Sequence, residues 1–185
     1  MIHKSDMMQD IEKVLVTEEE IREKVKEMGQ ILTRDYKGKC PVVVGILKGV
    51  VPFFAAITQA MDTPLQTDFM VVSSYGNATE SSGEVVYHKD IDADISGRHV
   101  LLLEDIVDTG FTLKKVVEDL KSRGPASVKV CTLLDKPSGR QVEFTPDYCC
   151  VTIPDGFVVG YGLDYAEYYR NLPFVGILKK EVYAD

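Results

Sequence analysis

The sequence predicts an α/β fold built on a mainly parallel, twisted sheet flanked by helices. Three observations carry that expectation. Short continuous apolar runs at 42–47, 100–103 and 128–134 fit strands buried on both faces. Segments with helical apolar spacing alternate with those runs. Polar residues (Lys48, Glu104, Asp105 and Lys136) gather where the runs end, which is where open parallel sheets bind ligands.

The first strong element is a helix. Thr17 and Glu20 form a T-x-x-E capping box, Ile21, Val25, Met28, Leu32 and Tyr36 then recur at helical spacing, and Gly38 ends the pattern. The run 42–47 is broken by Lys48-Gly49, and an apolar helix follows from about residue 51 to 61. An alternating run, 65–72, leads into the polar segment 73–83, whose Ser, Gly, Asn and Thr show no periodicity and predict a mobile loop. A short strand at 85–88 returns from it. The strand at 100–103 is expected to end in Glu104-Asp105. After a tight Asp108-Thr109-Gly110 turn, Leu113, Val116, Val117 and Leu120 mark an amphipathic helix, stopped by Gly124-Pro125. The strand at 128–134 ends at Asp135-Lys136, and 149–153 and 174–178 read as further strands. With no repeat, low-complexity tract or long linker, a single domain over 1–185 is expected.

Composition narrows the function classes. Of 185 residues, 45% are hydrophobic and 27% charged, as in soluble globular proteins. No apolar run approaches the roughly 20 residues of a membrane helix, and the first ten residues hold no secretory stretch, so a cytoplasmic protein is expected. The net charge of −8 disfavours nucleic-acid and anionic-membrane surfaces, which need clustered Lys and Arg. Cys40, Cys131, Cys149 and Cys150 contain no C-x-x-C pair and read as reduced, structural thiols. His3, His88 and His99 have no metal-ligand spacing.

The chemistry concentrates in Glu104-Asp105-Ile106-Val107-Asp108-Thr109-Gly110-Phe111-Thr112, between a buried strand and a helix. Backbone N–H groups and hydroxyls at Thr109, Gly110 and Thr112 can surround a phosphate at the helix N-terminus. Carboxylates beside such a cradle suit ribose hydroxyls, a divalent cation, or both. Neither G-x-x-x-x-G-K-[ST] nor G-x-G-x-x-G is present, which excludes P-loop and Rossmann binding.

This segment resembles the phosphoribosyl-pyrophosphate signature of the phosphoribosyltransferase family. Leu47-Lys48-Gly49, Ser73-Ser74-Tyr75-Gly76, Asp135-Lys136, the stretch from Pro154 to Tyr165, and Tyr169-Arg170-Asn171-Leu172-Pro173 also resemble its hypoxanthine-guanine subgroup, in order. The resemblance implies a type I phosphoribosyltransferase fold with a small hood subdomain over the site. It implies purine salvage: transfer from phosphoribosyl pyrophosphate to a 6-oxopurine, with Mg²⁺ as cofactor and a homo-oligomer, dimer or tetramer, as the working form. It further implies site roles. Glu104 and Asp105 hold ribose hydroxyls and the metal, with Asp164 as a further metal or purine contact. Thr109, Gly110 and Thr112 hold the 5′-phosphate, and Asp108 takes the purine's proton. Lys48, Gly49 and Arg170 hold pyrophosphate, Lys136, Phe157 and Val158 the base, and Ser74-Tyr75 a lid. A cis Leu47–Lys48 peptide is implied as well. The alternatives are a regulatory nucleotide- or RNA-binding protein on the same fold, which the acidic balance opposes, and a xanthine-preferring enzyme.

Overall fold

A computed structural model of the chain describes residues 4–74 and 85–184. The elements run α1 (Lys4–Gln9), β1 (Ile11–Val16), α2 (Glu18–Asp35), β2 (Val42–Ile46), α3 (Val51–Ala60), β3 (Gln66–Ser74) and β4 (Val85–Lys89). They continue as β5 (His99–Val107), α4 (Phe111–Ser122), β6 (Ser127–Asp135), a 3₁₀ turn (Pro137–Gly139), β7 (Tyr148–Thr152), β8 (Val158–Val159), β9 (Val175–Leu178) and α5 (Lys180–Tyr183).

The main sheet has the order β4-β3-β2-β5-β6-β7, parallel except for the antiparallel β3–β4 pair. Because side chains alternate across a strand, the continuous apolar runs fill two cores. Val43, Leu101, Leu103, Cys131 and Leu133 pack on one side with Ile21, Val25, Met28 and Leu32 of α2 and Phe53, Phe54 and Ile57 of α3. Val42, Val44, Val100, Leu102 and Val130 pack on the other with Leu113, Val116, Val117 and Leu120 of α4. The capping box forms: Glu20 N–H donates to Thr17 Oγ1 at 3.2 Å, and Thr17 N–H to Glu20 Oε2 at 2.7 Å. The helix stops at Asp35, with Tyr36 as its C-cap rather than its last helical residue.

Chain order makes β2-α3-β3 step one way across the sheet and β5-α4-β6 the other, so the direction switches between β2 and β5. Pairing of β2 with β5 ends at Gly45 and Leu103, whereas β5 stays paired with β6 as far as Val107 and Asp135. Glu104 and Asp105 therefore lie inside β5, which runs on to Val107 rather than ending in them as the hydrophobic run suggested. Their polarity does not stop the strand because β6 still offers it a partner.

A second sheet, β1-β9-β8, is antiparallel and forms the small hood. Met7, Val159, Tyr169, Leu172, Phe174 and Leu178 make its separate core. The run at 174–178 belongs here. The sequence reading did not foresee α1 and β1, whose residues are mostly exposed and lack a continuous apolar face. β3 extends through Ser73 and Ser74, and Tyr75 lies outside the described residues, as do residues 76–84. All four cysteines are free; Cys131 is buried, and burial pushes its thiol well above the ordinary range. Among the described residues no helix is long and apolar enough to cross a membrane.

Candidate active site

The overhang of β5 beyond β2 carries the acid pair. Asp105 N–H donates to Glu104 Oε1 at 3.1 Å, and Ile106 N–H to Asp105 Oδ1 at 2.7 Å. Burial, reinforced by the neighbouring Asp105 charge, raises Glu104 well above the usual carboxylate range. Burial also raises Asp105, against the lowering effect of its hydrogen bonds and of Arg170. Two adjacent carboxyl groups that resist ionising together are a donor set suited to a hard divalent cation. Among the described residues no group of three or more His, Cys, Asp or Glu is placed to hold a metal. An ion at the pair would draw its other ligands from water and substrate oxygens, the usual habit of Mg²⁺. Asp164, named with them in the sequence reading, is engaged by Arg170 Nη2 at 2.9 Å and by Glu167 N–H at 2.9 Å.

Two glycines from other loops make room for the carboxylates. A Cβ at Gly49 would stand 1.8 Å from Asp105 Oδ2, and one at Gly139 would stand 1.7 Å from Asp108 Oδ1. Gly110 caps α4 with φ 84°, a left-handed conformation that favours glycine, and so turns β5 into the helix. The turn Asp108-Thr109-Gly110-Thr112 with Glu104, Ile106, Val107 and Leu113 encloses a cavity of about 160 Å³ at the N-terminus of α4. A larger cavity, about 260 Å³, lies among Asp35, Tyr36, Lys39, His99, Ser127, Lys129 and Tyr148. It sits where β5 and β6 begin, the opposite end from the one at which parallel sheets bind ligands.

Lys136, leaving β6, turns its ammonium to Asp108 Oδ2 at 2.8 Å. Arg140 donates to Asp108 O at 2.6 Å and pairs with Asp135, and Gln141 N–H donates to Thr109 O at 3.0 Å. The turn at Asp108 to Thr112 and the Lys136 loop are thus one fastened unit. On the β2 side the Leu47–Lys48 peptide is cis. Lys48 Nζ meets Glu167 Oε2 at 2.8 Å, and Arg170 Nη2 meets Glu167 Oε1 at 3.2 Å. Arg170 Nη1 also donates to Gly162 O at 2.9 Å. Val158 is buried in β8, while Phe157 keeps 37% of its surface exposed, which sets aside a core role for its ring.

The structure therefore brings Lys48, Gly49, Glu104, Asp105 and Asp108 to Thr112 to one switch point, with Lys136 on one flank and Asp164 and Arg170 on the other. The sequence reading missed Ile106, Arg140 and Glu167. Ile106 stood inside the quoted signature and could have been found there. Arg140 and Glu167 act through loop geometry that no spacing rule exposes.

A parallel sheet with a phosphate turn and an acid pair at its switch point, beneath an antiparallel hood, defines a phosphoribosyl-transfer protein. The family model described as phosphoribosyl transferase domain matches residues 15–166, and the chain belongs to that family. It is 61% identical over 173 residues to a Lactococcus lactis hypoxanthine-guanine phosphoribosyltransferase, covering 94% of each chain. It is 57% identical over 176 residues to the protein of that name from Streptococcus pneumoniae (strain ATCC BAA-255 / R6), covering 95% of this chain and 98% of the other. The crystal structure of a hypoxanthine phosphoribosyltransferase from Staphylococcus aureus superposes with a TM-score of 0.95 at 50% identity, covering 100% of both chains.

Proposed function

We propose that the protein is a hypoxanthine-guanine phosphoribosyltransferase of purine salvage. It transfers the 5-phosphoribosyl group of phosphoribosyl pyrophosphate to hypoxanthine or guanine, giving IMP or GMP and pyrophosphate. The observation that carries this reading is the convergence at one switch point of an acid pair, a phosphate turn, and Asp108 held by Lys136.

In the reaction the bond from the anomeric carbon to pyrophosphate oxygen breaks and a bond to a purine ring nitrogen forms, through an oxocarbenium-like transition state. Thr109, Gly110 and Thr112 take the 5′-phosphate through backbone N–H groups and hydroxyls. Glu104 and Asp105 orient the ribose hydroxyls. Glu104 and Asp105, with Asp164 as a further contact, would hold Mg²⁺, which would supply positive charge opposite the departing pyrophosphate. Lys48, Gly49 and Arg170 receive the pyrophosphate, Arg170 through its planar fork. Asp108 accepts the proton that the purine ring loses, a role its oxygen can fill only while held in position. The ammonium of Lys136 donates to the purine 6-oxo group, Phe157 stacks on the base, and the Val158 backbone meets its edge. Ser74 and Tyr75 contribute to a lid that excludes water from the cation-like centre. By the same family resemblance the working form is a homo-oligomer, dimer or tetramer, a point that sedimentation settles.

The test is product formation from phosphoribosyl pyrophosphate with hypoxanthine, guanine and xanthine, in Mg²⁺ and in excess chelator. IMP and GMP should form in Mg²⁺ and vanish with chelator. Full activity in excess chelator would contradict the metal assignment, and no nucleotide from any base would contradict the enzyme.

A further inference from the structure

Phe157 does not stand alone. Tyr183, the last residue of α5, stacks on its ring with centroids 4.7 Å apart and planes 23° from parallel. Tyr165 meets the same ring at 89° and 5.6 Å. The backbone brings these groups together: Leu178 N–H, at the end of β9, donates to Phe157 O at 2.8 Å, so α5 begins beside Phe157. α5 is fastened in turn. Lys179 N–H donates to Asp10 O at 2.9 Å, and Val182 and Tyr183 pack against the hood core that contains Val159 and Leu178.

The residue that follows Phe157 belongs to a different core. Ile106, Val158 and Ile177 belong to the core that the main sheet shares with α2 and α3. Phe157 precedes Val158 of that core and stays partly exposed, with Tyr183, which packs on the hood core, stacked on its ring.

From this we infer that Tyr183 is a positioning residue for the purine: it backs the Phe157 ring from the hood side and fixes the plane against which the base stacks. The inference rests on the reading of Phe157 as the purine platform. An exposed phenylalanine with two free faces turns among rotamers, and each binding event must then order it. A ring already stacked on one face offers the other in a fixed plane. Tyr183 stacks on Phe157 and packs on the hood core, and it does not line the cavity at Asp108 to Thr112, so its effect should fall on the purine.

Tyr183→Leu keeps apolar bulk and removes the ring, whereas Tyr183→Phe keeps the stack. An aromatic pair of this kind is expected to change purine affinity by about 3- to 10-fold. Steady-state kinetics on the intact protein should show KM for hypoxanthine and guanine raised by about that factor in Tyr183→Leu. KM for phosphoribosyl pyrophosphate should stay within about twofold, and Tyr183→Phe should match the parent within the same margin. An unchanged purine KM in Tyr183→Leu overturns the inference, and so does a lowered one, which would put Tyr183 on the face the base needs. Equal rises in both KM values overturn it as well, since they mark a general loss of hood structure. Phe157→Leu separates the two levels. A raised purine KM there beside an unchanged Tyr183→Leu removes only Tyr183, whereas an unchanged purine KM in Phe157→Leu removes the platform and the inference with it.

Discussion

Gly139→Ala adds one methyl group where the Asp108 carboxylate stands. The new Cβ would lie 1.7 Å from Asp108 Oδ1, 2.9 Å from its Cγ and 3.1 Å from Lys136 Cε. Non-bonded heavy atoms settle near 3.5 Å, so the carboxylate or the 3₁₀ turn must yield by roughly 1.8 Å. The backbone is not the obstacle, because Gly139 is not among the residues with positive φ. The Asp108 side chain is 43% exposed and can swing outward, giving up its contact with Lys136. The pair is exposed on one side only, the Lys136 side chain keeping 13% of its surface in solvent, so its loss should cost about 1–2 kcal/mol and lower the melting temperature by about 2–8 °C. Activity should respond far more. A catalytic group displaced by an ångström or more can cost about 100-fold, equivalent to about 2.7 kcal/mol in the barrier. The assay pairs a thermal melt with initial rates of IMP formation at saturating substrates. A kcat within about threefold of the parent, with the fold intact, would refute the placement of Asp108 as the proton acceptor.

Other outcomes follow from the same geometry. Asp108→Asn keeps the size of the side chain but removes its basicity, and kcat should fall by about 100-fold or more while nucleotide binding, followed by calorimetry, persists. Lys136→Met removes a donor suited to a 6-oxo group. The parent should use hypoxanthine at least about 100-fold better than adenine in kcat/KM, and the variant should lose most of that gap; equal use of adenine by the parent would reject the 6-oxopurine assignment. Thr17→Ala breaks the capping box of α2, which does not line the cavity at Asp108 to Thr112. It should lower stability by about 1 kcal/mol and Tm by about 2–4 °C with kcat unchanged, as a melt and a rate measurement would show together.

Much of this architecture was legible because single strands and helices announced themselves. The runs 42–47 and 128–134 needed burial on both faces, and both sit in the middle of the sheet with α2 and α3 on one side and α4 on the other. The capping box at Thr17 fixed a helix start to the residue. What stayed hidden depends on partners distant in sequence. Nothing local to Glu104 and Asp105 says that β6 holds them in extended pairing after β2 has ended. Nothing local to residues 11–16 says that they pair with 175–178 to make the hood. The site divides the same way. Its acids and the turn that follows them are contiguous in sequence, whereas the ion pairs of Glu167 and the Phe157–Tyr183 stack join residues by the folding of loops.

The carboxylate of Glu167 has a consequence for what can enter the cleft. It bridges Lys48 and Arg170 at once, through separate oxygens at 2.8 Å and 3.2 Å. Both cations draw Glu167 below the usual carboxylate range, Lys48 most strongly, so it remains ionised through neutral pH. These cations therefore do not wait bare for a ligand. Any anion that reaches them takes part in an exchange, one acid displacing another. A single-atom ion such as chloride can at best replace like with like, and it lacks the two oxygens with which Glu167 meets both partners. A polyvalent chain of phosphates has the charge and the reach for both. An incoming phosphate chain must displace Glu167 from both cations, at a modest cost because the Lys48 and Glu167 side chains are 68% and 64% exposed.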